Sequence, residues 1–158
     1  YGTLTSRINY YNNAASIRNG HSLLYWDDYG DTLSNYSLSY LFVQYVRVQM
    51  NQGNGIYKTI LQDSANDYRA VENALKMYIG PEMTFGDFLT NFRLALLLKD
   101  GTGSYGFKGE PGFTIINTQM YTGMGKYLRG GGAVFITLSE EFTDPGNAGT
   151  SIQYAGVQ

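Results

Sequence analysis

The chain carries one histidine, His21, and no cysteine. Those two counts settle much of its possible chemistry. Without thiols there is no cysteine nucleophile, disulfide scaffold or thiolate metal site, although the redox compartment stays open. A zinc site of the H-E-x-x-H type needs two histidines one helical turn apart, and His21 has no such partner. A Ser-His-Asp triad needs only one histidine, but no G-x-S-x-G turn accompanies it, so His21 reads as a loop residue. Glu140 and Glu141 are adjacent and diverge in a strand or a helix, whereas glycoside chemistry needs two carboxylates facing across a cleft. Asp27, Asp28 and Asp31 surround Gly30. An oxygen-rich loop suits calcium, but the spacing is not D-x-D-x-D-G with a distant glutamate. An acidic turn before a helix N-terminus, where negative charge is favourable, accounts for the same residues. Two phenols, Tyr36 and Tyr40, mixed with Ser37 and Ser39, remain at the entry of an otherwise apolar helix.

That helix is predicted over 34–50, because Leu38, Leu41, Phe42, Tyr45 and Val46 or Val48 recur at i, i+3, i+4, i+7 spacing. Ser34 or Asn35 can cap it, and Gly53-Asn54-Gly55 supplies the stop. A second strong helix is expected over 84–99, with an approximate capping box of Thr84 and Asp87. Its apolar positions are Phe85, Phe88, Leu89, Phe92 and Leu96, and Asp100-Gly101 closes it. Between the two, 56–61 makes a short helix with Ile56 and Ile60 on one face. Asn66 or Asp67 caps a further helix carrying Val71, Ala74, Leu75 and Tyr78, which Gly80-Pro81 ends.

Upstream, Leu4, Ile8, Tyr10 and Tyr11 fit an extended edge or a short helix equally well. Asn12-Asn13 and 18–21 read as turns, and Leu23-Leu24-Tyr25-Trp26 as an apolar patch anchoring the N-terminal segment. Beyond Gly101, glycine-rich loops frame strand-like runs at 113–116 and 133–138, with a weaker third at 152–154. Gly130-Gly131-Gly132 precedes a strand and not a helix, so it is no phosphate loop. The expected fold is mainly α, a helical body over 1–108 with a small β-rich tail over 109–158.

With 158 residues, 43% of them hydrophobic, the chain can bury a sizeable core. A net charge of −2 gives no electrostatic reason to expect a nucleic acid or an anionic membrane as partner. No apolar run approaches the roughly 18 residues of a transmembrane helix. The sequence opens at Tyr1 with no signal peptide and reads as a processed product or a segment of something longer.

The stretches Ser6-Arg-Ile-Asn-Tyr-Tyr11, Asn19-Gly-His-Ser-Leu-Leu-Tyr-Trp26 and Leu33-Ser-Asn-Tyr-Ser-Leu-Ser-Tyr-Leu-Phe42 belong to one pattern. It continues through Gly55-Ile56, Gly80, Thr84-Phe-Gly-Asp-Phe88 and Ser104-Tyr-Gly-Phe107. In order and spacing it resembles the hyicolysin-type zinc metallopeptidases, gluzincins of thermolysin-like fold. The resemblance covers about the first two-thirds of the chain. It implies that these segments follow the zinc helices, so that the chain is the C-terminal helical subdomain. That subdomain would form the cleft wall opposite or below the zinc helices and be inactive alone. Zinc would be held in the parent protein by an upstream H-E-x-x-H helix and a downstream glutamate, none of which is in this sequence.

The resemblance implies an extracellular or cell-surface bacterial protein acting on peptides or proteins, with the upstream zinc-binding subdomain as partner. It also suggests one catalytic residue. Related zinc peptidases of the aminopeptidase type place a tyrosine at a helix start, followed three residues later by a small residue, to hydrogen-bond the tetrahedral oxyanion. Tyr36-Ser-Leu-Ser39 resembles that arrangement, with Leu38 where a lysine is usual. Simple packing of Tyr36 near a cap is the alternative. For the whole chain the alternative is a non-catalytic extracellular module whose tyrosines contact a protein or a glycan. On either reading this chain alone should bind no stoichiometric zinc and cleave no protein. Metal analysis showing tight one-to-one zinc, lost in His21→Ala, would overturn that expectation.

Overall fold

The central helix, α3 (Thr32–Met50), is buried around most of its circumference. Leu38, Leu41 and Tyr45 are fully enclosed, Phe42, Val46, Val48 and Met50 nearly so, and the polar Ser34, Asn35 and Ser37 are buried with them. A helix covered on so many sides needs neighbours on each. They are supplied by α1 (Thr5–Asn13), α2 (Ala15–Arg18), α4 (Gly55–Leu61), α5 (Tyr68–Tyr78) and α6 (Phe85–Leu98). The computed structural model describes residues 4–26, 30–124, 127–138, 152 and 154–157. α1 packs along α3 and α4 against its far end, while α5 bridges α4 and α6. From α6, Phe85, Phe88 and Phe92 meet the Phe42 ring edge-on at centroid distances of 6.0, 6.0 and 5.3 Å.

The mainly helical expectation is correct, and the two strong helices lie close to their expected places. The end points differ in instructive ways. Asp31, not Ser34 or Asn35, caps α3, its carboxylate accepting from the Ser34 amide. Asp is as good a cap as Ser or Asn, and Asn35 is engaged elsewhere: its amide nitrogen donates to the Tyr25 carbonyl at 3.3 Å. α3 ends before the glycines, with Asn51 in the left-handed conformation at φ 53°. Thr84 caps α6 as expected: its hydroxyl accepts from the Asp87 amide and donates to the Asp87 carboxylate. α6 stops one residue early, with Lys99 left-handed at φ 54°. The N-terminal region, open between edge and helix, is two short helices broken at the extended Ala14.

The β-rich tail is not supported: no strand occurs among the described residues. Instead Phe113 ends a 3-10 turn (Pro111–Phe113), and Phe113 and Ile116 join the helical core. The backbone beyond them is satisfied by side chains where a strand would use a neighbour. Asn12 donates through Nδ2 to the Ile115 carbonyl and accepts through Oδ1 from the Asn117 amide, each at 2.8 Å. Lys99 Nζ donates to the Ile116 carbonyl at 3.1 Å. Once these groups are paired, no ladder is needed to meet the hydrogen-bonding demand of the segment. Residues 133–138 are irregular as well, touching their neighbours through a bond from the Tyr121 amide to the Phe135 carbonyl. The third run lies partly outside the described residues.

The patch at 23–26 buries one of its four residues. Leu23 is buried, whereas Leu24, Tyr25 and Trp26 are about half exposed. Among the described residues no helix is long and apolar enough to cross a membrane.

Leu41 and Phe88 are at most 1% exposed, so truncation leaves a cavity as well as losing apolar contact. Leu41→Ala should cost roughly 2–5 kcal/mol and Phe88→Ala roughly 3–5 kcal/mol. Chemical denaturation midpoints unchanged by both substitutions would show that these faces do not form the core.

Candidate active-site face

The face around Tyr36 is built from a single carboxylate outward. Asp31 accepts hydrogen bonds from the Tyr10 hydroxyl at 2.7 Å, the Ser16 hydroxyl at 2.5 Å and the Ser34 hydroxyl at 2.8 Å, besides the Ser34 amide. It therefore ties α1 and α2 to the first turn of α3. Partial burial pushes the Asp31 carboxyl upward, but the bonds from Ser16, Tyr10 and Ser34 together outweigh it and hold the group down at about 2.

One turn along α3, Tyr36 is 46% exposed. Its ring is held on two sides. The Arg7 guanidinium lies 5.1 Å from the ring centroid, and Trp26 meets it edge-on at 5.4 Å and 84°. Such contacts fix the ring plane at roughly 0.5–1.5 kcal/mol each. The Tyr36 hydroxyl has no hydrogen-bond partner among the described residues. Tyr40, four residues on and on the same face, differs: its hydroxyl accepts from the Leu4 amide at 2.9 Å and so fixes the start of α1.

The other residues considered from sequence do not join this face. The His21 amide donates to the Ser16 carbonyl and its own carbonyl accepts from Arg93, while its buried Nε2 has no partner among the described residues. Asp31 is committed to four protein donors. Asp27, Asp28, Glu140 and Glu141 lie outside the described residues. Among the described residues no three histidine or carboxylate side chains could hold a metal. The donors present therefore do not fit zinc. What the described residues of the face offer is a phenol donor beside an aromatic wall and a cation.

One residue escaped the sequence reading. Arg93 on α6 is buried to 8% exposure. It donates through Nη2 to the carbonyls of Gly131 and His21, at 2.5 and 3.3 Å. Burial pulls its pKa down to about 10, against the opposing influence of Tyr11. The signal was available: Arg93 falls within the apolar stripe, four residues after Leu89 and three before Leu96. A charge inside such a stripe is more informative than the leucines around it.

Comparison with known proteins is consistent with the resemblance. The chain is 43% identical over 155 residues, 98% of its length, to the Neutral metalloprotease ShpI of Staphylococcus hyicus. It spans about a third of that relative, 35% of its length. No protein-family model matches the chain. The metallopeptidase resemblance read from the sequence is borne out by this relative.

The Asp31 bonds carry a pH dependence whose sign follows from the depressed pKa. The unfolded state takes up its proton near the usual 3.9, the folded state only near 2. The stabilisation is therefore complete above about pH 5 and fades as pH falls through 4 toward 2. Asp31→Ala should cost about 1–2 kcal/mol at pH 7 through the lost cap. The gap between mutant and wild type should narrow on acidification. A gap constant from pH 7 to pH 2.5 in urea denaturation would contradict the assignment.

Proposed function

We propose that the chain is the C-terminal helical subdomain of a secreted bacterial zinc metalloendopeptidase. In this reading it forms one wall of the substrate cleft and is inactive without the zinc-binding part of its parent. The observation that carries the proposal is the 43% identity to a metalloprotease along 98% of the chain. What the described residues would contribute to such a wall is the half-exposed Tyr36 phenol, its ring held by Arg7 and Trp26. The zinc, the peptide or protein substrate and the docked upstream subdomain are all part of the proposal. The chain's acidic balance offers no basis for a nucleic-acid partner.

Within it, Tyr36 is the catalytic residue of this chain. Its O–H would donate to the oxygen that gains negative charge as a peptide carbonyl becomes tetrahedral, and a pre-oriented donor stabilises that charge without reorganising. The Arg7 guanidinium over the ring adds positive potential near it. Zinc bound in the parent would supply the Lewis acid and the activated water.

The second reading, a non-catalytic binding module, draws on the exposed rings of Tyr25, Trp26 and Tyr36. Such rings suit protein or glycan contacts. An H-E-x-x-H pair within roughly a hundred codons upstream of Tyr1 would decide for the peptidase, and its absence for the module.

In the full-length protein, Tyr36→Phe should lower kcat by roughly 10²–10³ with little loss of stability, because the ring and its contacts remain. Tyr40→Phe is the counterpart with the opposite signature. It deletes the acceptor of the Leu4 amide, so it should cost about 1 kcal/mol of stability and leave kcat near wild type. Steady-state kinetics giving wild-type kcat for both would remove Tyr36 from catalysis and leave it a packing residue.

A further inference from the structure

The three consecutive glycines at 130–132 have no part in the proposed reaction, yet they meet the segment that leads to Trp26. Residues 129–132 form a turn, closed by the Gly132 amide donating to the Arg129 carbonyl at 2.8 Å. Gly131 stands at its third position with φ 78°, where any side chain would be strained.

Three hydrogen bonds seat this turn on its neighbours. The Ser22 hydroxyl donates to the Gly130 carbonyl at 2.6 Å. The Gly131 carbonyl accepts from the Leu23 amide at 3.2 Å and from Arg93 Nη2 at 2.5 Å. The approach is close enough to exclude side chains. A Cβ at Gly132 would lie 2.7 Å from the Gly20 carbonyl oxygen, and one at Gly131 would lie 2.8 Å from Leu24 Cγ. At the edge of the turn, the Arg129 guanidinium lies 3.8 Å from the centroid of the Tyr25 ring.

Ser22 passes this seating on. It is buried, and its one hydroxyl proton goes to Gly130. The oxygen is thereby turned to accept from the amides of Leu24 and Tyr25, at 3.1 and 2.9 Å. Those bonds fix the backbone that presents Trp26. Asn35 of α3 holds the same stretch from the other side through the Tyr25 carbonyl, and Trp26 then meets the Tyr36 ring edge-on.

We propose that Ser22 and the glycine turn 129–132 are positioning residues for the Tyr36 phenol, acting through Trp26. Their effect on rate rests on the catalytic reading of Tyr36; their effect on Trp26 does not. Arg7 holds the Tyr36 ring from α1 independently of the turn. Unseating the turn therefore loosens the ring without freeing it, and costs less than removing the hydroxyl.

Trp26 is the one tryptophan of the chain, so the long-wavelength edge of the near-UV dichroism reports its fixed packing alone. In the 158-residue chain, Ser22→Ala and Gly132→Ala should each remove more than half of that band and keep the far-UV helical signal. Ser37→Ala deletes a buried hydroxyl with no partner among the described residues and should leave the band as it is. In the full-length protein, Ser22→Ala and Gly132→Ala should each lower kcat roughly tenfold at nearly constant KM. Neither should lower the kcat of Tyr36→Phe further, because the effect runs through that phenol. A tryptophan band unchanged in both variants would overturn the proposal whatever Tyr36 does. So would a lost band with wild-type kcat in a protein that Tyr36→Phe does slow. A lost band in a protein that Tyr36→Phe leaves at wild-type kcat would end the catalytic reading alone, with the hold on Trp26 upheld.

Discussion

Everything else in the fold follows from the need to cover α3. Most helices at a protein surface hide one stripe and leave the rest to water. α3 instead hides residues on nearly every side, so each neighbouring element is obliged to take a sector. Tyr45 shows how tightly this constrains even the loops. Its ring sits fully buried against Phe88, Phe92 and Phe107. A buried phenol must find a partner, and its hydroxyl donates to the Ser104 carbonyl at 2.5 Å. The loop after α6 is thereby drawn back over the core. It turns so closely that a Cβ at Gly106 would lie 1.9 Å from the Asp100 carbonyl oxygen, which leaves room only for glycine.

The same requirement explains the polar start of α3. Ser34 and Ser37 are buried where larger residues would hold α1 and α2 away, and small side chains let those helices approach. Ser34 repays its burial by donating through its hydroxyl to Asp31. The Ser37 hydroxyl has no partner among the described residues, and its place on the inner face is a matter of size. Because the inner side of this turn is given over to serines, the bulky residue of the turn, Tyr36, faces outward.

How much of this was legible in the sequence varied with the range of the interactions involved. α3, α5 and α6 announce themselves through apolar spacing and local capping residues, and Thr84 with Asp87 behaves as its spacing suggests. Asp31 was missed as a cap because its three side-chain donors come from three helices, and only one of them, Ser34, is near in sequence. The tail was misread for a related reason. Phe113 and Ile116 are β-branched or aromatic residues between glycines, a pattern that fits a strand and an irregular buried segment alike. Asn12, more than a hundred residues away, decides between them by occupying the backbone groups that a neighbouring strand would use. Arg93 was visible as a charge in an apolar stripe, but its carbonyl partners, Gly131 and His21, lie far from it in sequence and follow only from the assembled wall. On the candidate face, Tyr36 was singled out by resemblance, whereas Arg7 and Trp26 beside it follow only from the packing of α1 and of the segment before α3.

The three phenols of α3 make the final distinction. Tyr45 spends its hydroxyl on Ser104 and Tyr40 on Leu4, and in each case the bond secures another part of the chain. Tyr36 has its ring secured by Arg7 and Trp26 while its hydroxyl bonds nothing among the described residues. A purely structural tyrosine gains by the reverse arrangement, with its polar tip satisfied and its ring buried. Holding the ring and leaving the tip available is what a donor needs if it is to meet charge that appears only during a reaction. That asymmetry supports the catalytic proposal over simple packing, and it does so from the geometry of one helix, independently of the relative that suggested a peptidase.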